Sequence, residues 1–219
     1  SIHEGGAEAA DRAGSAVVSV RARAIVNATG PWVDHVRRLE DPGAGTSVTL
    51  SKGAHLVLDC PAGWEAALTI PVDKARVSFA IPWEGMLLLG TTDEPFDAAP
   101  ETVDVTDADE RQILAEAARG LVAGAIRPEA VRARFAGLRV LPAARRGTAK
   151  ARRETTITVG PRGMVTVAGG KLTTYRRIAG GVLDALRPQL GLHQLDSRPT
   201  PLPGAADPEA VATALCRDR

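Results

Sequence analysis

A glycine pair followed by a lysine and two threonines is the part of this chain best suited to bind a charged ligand. Residues 167–176 read VAGGKLTTYR, which predicts a strand, a tight turn and the start of a helix. Gly170 lets a ligand approach the backbone without a Cβ in the way, and the free N–H groups at a helix start favour an anion. Thr173 or Thr174 is expected to cap that helix. The segment therefore predicts a site for a phosphate, a carboxylate or an anionic flavin ring.

A nucleotide-triphosphate loop is the obvious alternative for the same residues. In such a loop the Ser or Thr that binds magnesium follows the lysine, but Leu172 stands there instead. The glycine spacing, counted from Gly163, is also too long. The pattern argues against a nucleotide triphosphatase, while an ordinary strand-to-helix turn stays open as the structural alternative.

Basic residues are concentrated in one stretch that contains no acidic residue. They are Arg132, Arg134, Arg139, Arg145, Arg146, Lys150, Arg152 and Arg153. Most are typical of a solvated surface, but Arg139 lies in an otherwise apolar strand pattern, where an unpaired guanidinium would be costly. We therefore expect Arg139 to face a partner or ligand, with Arg153 beside it in a clamp for phosphate or carboxylate. Aromatic residues are only 3% of the chain, too few for the stacking platform of a nucleic-acid site.

Two further groups of polar residues stand at the ends of predicted strands. His55 ends the sequence KGAH and precedes an apolar run, which indicates either a site residue or a hydrogen-bonded structural histidine. Residues 81–85 predict a hairpin, and the strand that follows it ends in Thr91, Thr92 and Asp93. Those three side chains are candidates for a site, with an Asx or Ser/Thr turn as the alternative.

Three helices and several short strands are predicted to position these groups. Apolar residues at helical spacing predict helices over residues 32–39, 107–122 and 173–186, the last of which should end before Pro188. Strands are expected at residues 17–20, 24–28, 56–58, 68–70, 77–81, 86–89, 131–140, 155–159 and 164–167. The first two are expected to be neighbours. The runs between residues 48 and 89 predict an antiparallel or mixed sheet.

Length and composition are typical of a globular protein with one large domain or two small ones. The chain has 219 residues, 44% of them apolar, and a net charge of +1, which argues against a general nucleic-acid or membrane-surface binder. Cys60 and Cys216 lie far apart, so a reducing cytoplasm is expected and no metal site is predicted. The chain starts without methionine and ends in a helix that has only begun at residues 208–215, and we expect it to be part of a longer protein.

Six short motifs follow one another along the chain. They are VNATGPWVD at residues 26–34, KGAH at 52–55, IPWEG at 81–85, GTTD at 90–93, GLR at 137–139 and AGGKLTTYR at 168–176. In this order and spacing they resemble the FAD-dependent glycerol-3-phosphate dehydrogenases, within the D-amino-acid-oxidase-like flavoprotein superfamily. The resemblance covers residues 17–187, and the last motif is close to specific for that family.

The resemblance implies an α/β fold, in which a Rossmann-like FAD-binding domain is interrupted by a substrate domain with a mixed or antiparallel sheet. Residues 1–47 and 156–190 would belong to the FAD-binding domain and 48–155 to the substrate domain. Residues 191–219 would form a linker and the start of a truncated carboxyl-terminal helical region. The family's Gly-x-Gly-x-x-Gly turn for the FAD pyrophosphate is not found in the sequence. The chain by itself is therefore expected to bind FAD weakly and to be inactive.

The resemblance also implies roles for individual residues. Arg139, His55 and Lys171 would be catalytic in oxidising sn-glycerol 3-phosphate to dihydroxyacetone phosphate, and Arg153 would join Arg139 and Lys171 in holding the substrate. The flavin would contact two turns, formed by Ala28, Thr29, Gly30, Gly170, Lys171, Leu172, Thr173 and Thr174. The helix start would face the flavin N1/O2 edge and favour the anionic reduced ring.

Further partners are implied by the same resemblance. Electrons would pass to a membrane quinone, with the protein in the cytoplasm, in peripheral contact with the inner face of the cell membrane and able to form a homodimer. Nucleic acid is not an expected partner. Two alternatives stay open. One is an amine or amino-acid oxidase of the same superfamily, in which the basic pair grips a carboxylate, and the other is a non-catalytic phosphate-binding module.

Overall fold

Three β-sheets and three α-helices make up the part of the chain that the computed structural model describes, which is residues 2–3, 6–10, 17–74, 76–121, 126–143 and 155–191. The strands are β1 (Ile2–His3), β2 (Gly6–Ala10), β3 (Val17–Arg21), β4 (Val26–Asn27), β5 (Val48–Asp59), β6 (Leu68–Pro71), β7 (Val77–Trp83), β8 (Met86–Gly90), β9 (Glu94–Phe96), β10 (Val131–Pro142), β11 (Thr155–Val159) and β12 (Val165–Gly169). The helices are α1 (Val33–Glu40), α2 (Asp107–Gly120) and α3 (Tyr175–Leu190). Short 3₁₀ turns, Gly30–Trp32 and Leu172–Thr174, precede α1 and α3.

The largest sheet has six strands and is antiparallel at every pairing. Its order is β10-β5-β8-β7-β6, and β9 pairs with the first part of β5. The prediction of an antiparallel or mixed sheet in this stretch is confirmed. A second sheet has the order β11-β12-β4, in which β12 lies antiparallel to β11 and parallel to β4. A third sheet joins β1, β2 and β3.

One face of the six-stranded sheet packs against α2. Alternate residues along the strands point to this face, and they form the largest core together with residues of α2: Ala54, Leu56, Leu58, Ile70, Ala80, Leu87, Leu89, Val105, Ile113 and Ala117. Burying each leucine fully stabilises the fold by about 2 kcal/mol. The period of two along a strand then leaves the opposite face of the sheet for other contacts.

The start of α2 is fixed by side-chain hydrogen bonds and a buried ion pair. Thr106 and Asp109 form a reciprocal capping box. Lys52 Nζ on β5 lies 2.7 Å from Asp109 Oδ2, and this carboxylate is 1% exposed. Burial raises the pKa of Asp109, but the hydrogen bonds from Lys52 and Thr106 outweigh that effect and hold the pKa below its ordinary value. The pair therefore ties α2 to the strand that also carries His55.

The second sheet is covered by the other two helices. Val182 and Leu186 of α3 pack on Val165, and Val33 of α1 packs near Ala168. Glu40, at the end of α1, is buried, and its Oε1 accepts hydrogen bonds from the backbone N–H groups of residues 162 and 164, at 2.9 and 3.0 Å. These contacts fix the turn between β11 and β12 against α1.

Two details of the predicted elements are wrong. The runs at 17–20 and 24–28 are not neighbours, because β3 pairs with β2 while β4 pairs with β12. The last helix does not end before Pro188 but continues to Leu190, with Pro188 inside it. A proline so near the end removes only one backbone hydrogen bond, and Gly191, in the left-handed conformation at φ 64°, then ends the helix.

The predicted fold class, α/β with a separate largely antiparallel sheet, is confirmed. The boundaries at residues 47, 155 and 190 stay predictions, and the helix expected at 208–215 lies outside the described residues. None of the helices in the described ranges is both long and apolar enough to cross a bilayer.

Candidate active site

The open face of the six-stranded sheet carries two of the predicted site residues. Arg139 on β10 pairs with Ser51 on β5, and Phe135 pairs with His55, so all four lie at alternating positions on one face. Gly137 pairs with Gly53 between them. The opposite face is the one buried under α2. The register thus brings Arg139 and His55 to one surface.

Arg139 is held by a turn that lies 46 to 48 residues away in the sequence. Its Nη1 donates to the backbone oxygen of Thr92 at 3.1 Å and to Asp93 Oδ1 at 3.3 Å, and its Nη2 donates to Thr91 Oγ1 at 2.9 Å. Asp93 also accepts a hydrogen bond from the Ser51 hydroxyl. The side chain of Arg139 is 28% exposed. The guanidinium therefore has a fixed direction, with part of its surface open to a ligand.

Gly53 gives the guanidinium the space to lie flat across the sheet. A Cβ built on Gly53 would come within 2.7 Å of Arg139 Nη2 and 2.8 Å of Nη1. No real side chain tolerates such contacts without movement of a neighbour. The glycine of the KGAH motif is therefore needed for the position of an arginine on the next strand.

The turn that holds Arg139 is itself anchored on the side of α2. The hydroxyl of Thr92, which is fully buried, accepts a hydrogen bond from the Ala54 N–H at 2.9 Å. Arg76 donates to the backbone oxygen of Thr91 at 3.1 Å and forms an ion pair with the buried Glu116 of α2. Thr91, Thr92 and Asp93 thus belong to a hydrogen-bond network that spans β5, β10, α2 and Arg76, which directly precedes β7.

His55 lies between an aromatic ring and a glycine. Its imidazole stacks on Phe135, with ring centroids 5.0 Å apart and an interplanar angle of 10°. On the other side it pairs with Gly90, where any Cβ would collide with the ring. Burial, with the nearby charge of Arg139, lowers the pKa of His55 below its ordinary value, so the ring is neutral at pH 7.

The turn at residues 28–30 lies at one edge of the second sheet. β4 and β12 are parallel, with Thr166 opposite Asn27, so the turns that follow both strands lie at the same edge. Asn27 is buried and shapes the first turn, because its Nδ2 donates to the Val33 oxygen at 2.9 Å and its Oδ1 accepts from Thr29 Oγ1 at 2.7 Å. Ala28 and Thr29 are exposed there.

The glycine-lysine turn lies at the same edge, after β12. Gly169 and Gly170 have φ values of 74° and 84°, which side chains rarely adopt, and a Cβ on Gly170 would press on Thr155 Oγ1 at 2.5 Å. Lys171 and Leu172 are exposed. The predicted caps are wrong: α3 begins at Tyr175, and Thr174 Oγ1 donates to the Lys171 oxygen at 2.9 Å rather than capping an N–H. Because a 3₁₀ turn precedes α3, the Thr174 hydroxyl lies closer to this carbonyl oxygen than to a backbone N–H at the start of the helix.

The two halves of the candidate site are joined through β10. This strand contacts both β12 and the 3₁₀ turn Gly30–Trp32, and Val140, next to Arg139, packs against the cluster formed by Val33, Val48 and Ala168. Strand β10 therefore links the sheet that carries Arg139 to the second sheet and to the turn before α1. Arg153, the predicted partner of Arg139, lies outside the described residues.

Sequence reasoning missed several residues that position this region. Asn27 and Gly53 lie in the motifs VNATGPWVD and KGAH, but the sequence predicted no role for them. It also predicted no contact between Arg139 and the residues Thr91 to Asp93. A local signal existed for Asn27, since an asparagine before a turn commonly bonds its own backbone. None existed for the contact between Arg139 and Thr91, which depends on strand order.

A small α/β sheet with glycine turns at one edge, beside an antiparallel sheet with a histidine and an arginine on its open face, fits a flavoprotein oxidoreductase. The family described as "FAD dependent oxidoreductase" matches residues 1–176 of the chain. The chain therefore belongs to the FAD-dependent oxidoreductase family, and its cofactor is FAD.

Within that family the chain is similar to glycerol-3-phosphate dehydrogenases. It is 35% identical over 202 residues to the probable mitochondrial enzyme of Caenorhabditis elegans, covering 86% of this chain and 27% of that protein. It is 33% identical over 173 residues to the aerobic enzyme of Bacillus subtilis, covering 78% and 31%. The chain thus spans about a third of the length of the curated relatives that it matches.

Solved structures give the same result. The glycerol-3-phosphate dehydrogenase from Bacillus halodurans, complexed with FAD, matches with a TM-score of 0.75 and 33% identity, covering 87% of this chain and 37% of that chain. The glycine oxidase from Geobacillus kaustophilus matches with a TM-score of 0.54 at 20% identity. The second likeness shows the fold alone.

Proposed function

We propose that this chain supplies the substrate side of an enzyme that oxidises sn-glycerol 3-phosphate to dihydroxyacetone phosphate. The observation that carries the proposal is the fixed, partly open guanidinium of Arg139, beside a neutral histidine and on a strand that contacts β12 and the 3₁₀ turn Gly30–Trp32. The similarity to glycerol-3-phosphate dehydrogenases supports the same substrate.

Arg139 is the group that we assign to the substrate phosphate. A guanidinium has five N–H donors, and its contacts to Thr91, Thr92 and Asp93 leave donors for an anion. Those contacts also fix its plane, which favours two parallel hydrogen bonds to phosphate oxygens. Arg153 remains a proposed second cation of this clamp, from the resemblance alone.

Lys171 and His55 are assigned to the reacting end of the substrate. Lys171 is exposed at the turn after β12, where an ammonium group would neutralise charge on both the substrate and the cofactor. His55 would lie at the C2 hydroxyl. FAD, when bound, supplies the two-electron acceptor for the hydride that leaves C2.

The cofactor residues are proposed from the geometry of the two turns. Ala28 to Gly30 and Gly170 to Thr174 follow parallel strands and lie at one edge of the sheet, which is where ligands bind in open α/β sheets. The left-handed Gly169 and Gly170 let the backbone approach a ring closely. These residues therefore fit the ring side of a flavin site.

The electron acceptor and location follow from the resemblance. We propose a membrane quinone as the acceptor and peripheral contact with the inner face of the cell membrane, with a homodimer as the assembly. Quinone reduction by the full-length protein in the presence of lipid vesicles, measured against a soluble dye acceptor, would test this.

Replacing Arg139 with alanine tests the assigned substrate. In the full-length protein we expect kcat/KM for glycerol 3-phosphate to fall about a hundredfold, because a fixed charge-assisted clamp is lost. Arg134→Ala is the matched control. Arg134 lies on the same strand but points to the other face, where it pairs with Asp107 and Glu110. Equal losses in the two variants, or better turnover of an amino acid than of glycerol 3-phosphate, would contradict the proposal.

A further inference from the structure

The two ring nitrogens of His55 differ in burial and in access to a ligand. Phe135 covers one face of the ring, and Gly90 lies against its Cδ2 edge. Nδ1 is buried and has no hydrogen-bond partner among the described residues. Nε2 is not buried and unpartnered in this way, so it is the nitrogen that can meet a ligand.

A buried Nδ1 without an acceptor should not carry a proton. An N–H left unpaired in such a place costs about 1–3 kcal/mol, whereas an unpaired lone pair is tolerated more often. The neutral ring therefore keeps its hydrogen on Nε2. To accept a proton at Nε2, the ring would need its hydrogen on Nδ1, and the product imidazolium would bury that N–H as well.

The charged groups around the ring also disfavour the protonation of His55. Arg139 on β10 is the cation whose charge reaches His55, and β8 contributes only Gly90 at this position. The nearest carboxylate of the turn, Asp93, is already bonded to Arg139 and Ser51. Lys52 points to the other face, where it pairs with Asp109.

We infer that His55 meets the substrate as a neutral hydrogen-bond donor through Nε2–H, and not as the base that removes the C2 hydroxyl proton. This inference rests on the proposed function. When the hydride leaves C2 for the flavin, the hydroxyl proton passes to water or to a base other than His55. The histidine holds the reacting oxygen in place and undergoes no change of charge.

Two amide replacements separate the donor from the base. The side-chain N–H of glutamine reaches the position of Nε2, that of asparagine only the position of Nδ1, and neither amide can take up a proton at neutral pH. In the full-length protein at saturating substrate, we expect His55→Gln to slow flavin reduction by no more than about tenfold. His55→Asn and His55→Ala should slow it about a hundredfold or more, as for other lost donors to a reacting oxygen.

Flavin content and the thermal midpoint show whether each variant is folded. Reduction by His55→Gln that is as slow as that of His55→Ala would overturn the donor role. The tautomer is read independently, without substrate, from ¹⁵N-histidine spectra of the full-length protein, with the His55 signals assigned by their loss in His55→Gln. A protonated Nδ1 at pH 7 would overturn the inference. If Nδ1 is unprotonated but the protein does not oxidise glycerol 3-phosphate, the proposed function is contradicted. The tautomer assignment is then unaffected.

Discussion

Replacing Gly53 with alanine should displace the Arg139 guanidinium without removing its charge. The added Cβ would lie 2.7 Å from Arg139 Nη2 and 2.7 Å from Thr91 Oγ1. Ordinary contact begins at 3.4 Å, so the guanidinium and the Thr91 hydroxyl would each have to lie about 0.7 Å further away, the difference between 3.4 and 2.7 Å. The tip of a long arginine moves more easily than the anchored turn that bears Thr91, and we expect the larger displacement at the guanidinium.

The effects on stability and on activity should differ in size. A displaced guanidinium weakens its hydrogen bonds to the turn, each worth about 1 kcal/mol net, but regains water because it is partly exposed. The free energy of unfolding should therefore fall by only about 1–2 kcal/mol. A misplacement on the order of 1 Å in a substrate clamp lowers the rate about a hundredfold, equivalent to about 2.7 kcal/mol in the barrier.

The assay is kcat/KM for glycerol 3-phosphate in the full-length protein, together with urea unfolding, for Gly53→Ala, Arg139→Ala and the double variant. Both changes act through one guanidinium, so the double variant should be no slower than Arg139→Ala. Gly137→Ala is the folding control, because Gly137 pairs with Gly53 and a Cβ there meets nothing within 4 Å. Unchanged kcat/KM in Gly53→Ala, or losses that add in the double variant, would refute the reasoning.

Two further predictions concern stability. Lys52→Met should lower the free energy of unfolding by about 3–5 kcal/mol, because it leaves the buried Asp109 carboxylate without its cation; urea unfolding checks this, and a loss below about 1 kcal/mol would show that the ion pair is dispensable. The lowered pKa of His55 means that the unfolded chain takes up a proton first as the pH falls below 6.5, so this contribution to stability should be full above that pH and decline as the pH falls below it. The lowered pKa of Asp109 adds a second decline below pH 3.8. Unfolding at a series of pH values tests both, and His55→Gln should abolish the first decline only.

The candidate site residues that the sequence predicts are those whose local surroundings make them unusual. Arg139 is a charged residue in an apolar strand, and the Gly170 to Thr174 turn combines glycines, a lysine and a helix start. Such conflicts between a residue and its local pattern mark functional positions. The sequence prediction that His55 stands at the entrance to a strand is wrong, because β5 begins at Val48 and His55 lies inside it.

The contacts that position these residues were not predictable in the same way. The bonds between Arg139 and Thr91 depend on the order and register of β5, β8 and β10, and a single sequence does not fix either. The helix end at Pro188 and the role of Thr174 failed for a different reason. Pro188 costs α3 only one backbone hydrogen bond so near the helix end, and the Thr174 hydroxyl bonds the Lys171 oxygen within its own turn.

The parallel pairing of β4 with β12 has a consequence for how the protein folds. Asn27 and Thr166, whose side chains meet there, are separated by 139 residues, and closing a loop of that length costs about 4 kcal/mol of chain entropy. A ladder of two residue pairs offsets little of this. The β4–β12 pairing should thus form late in folding. In unfolding it should open before the sheet that carries His55. A flavin that bridged the two turns would hold the two strands together, so that cofactor binding would be coupled to the last step of folding.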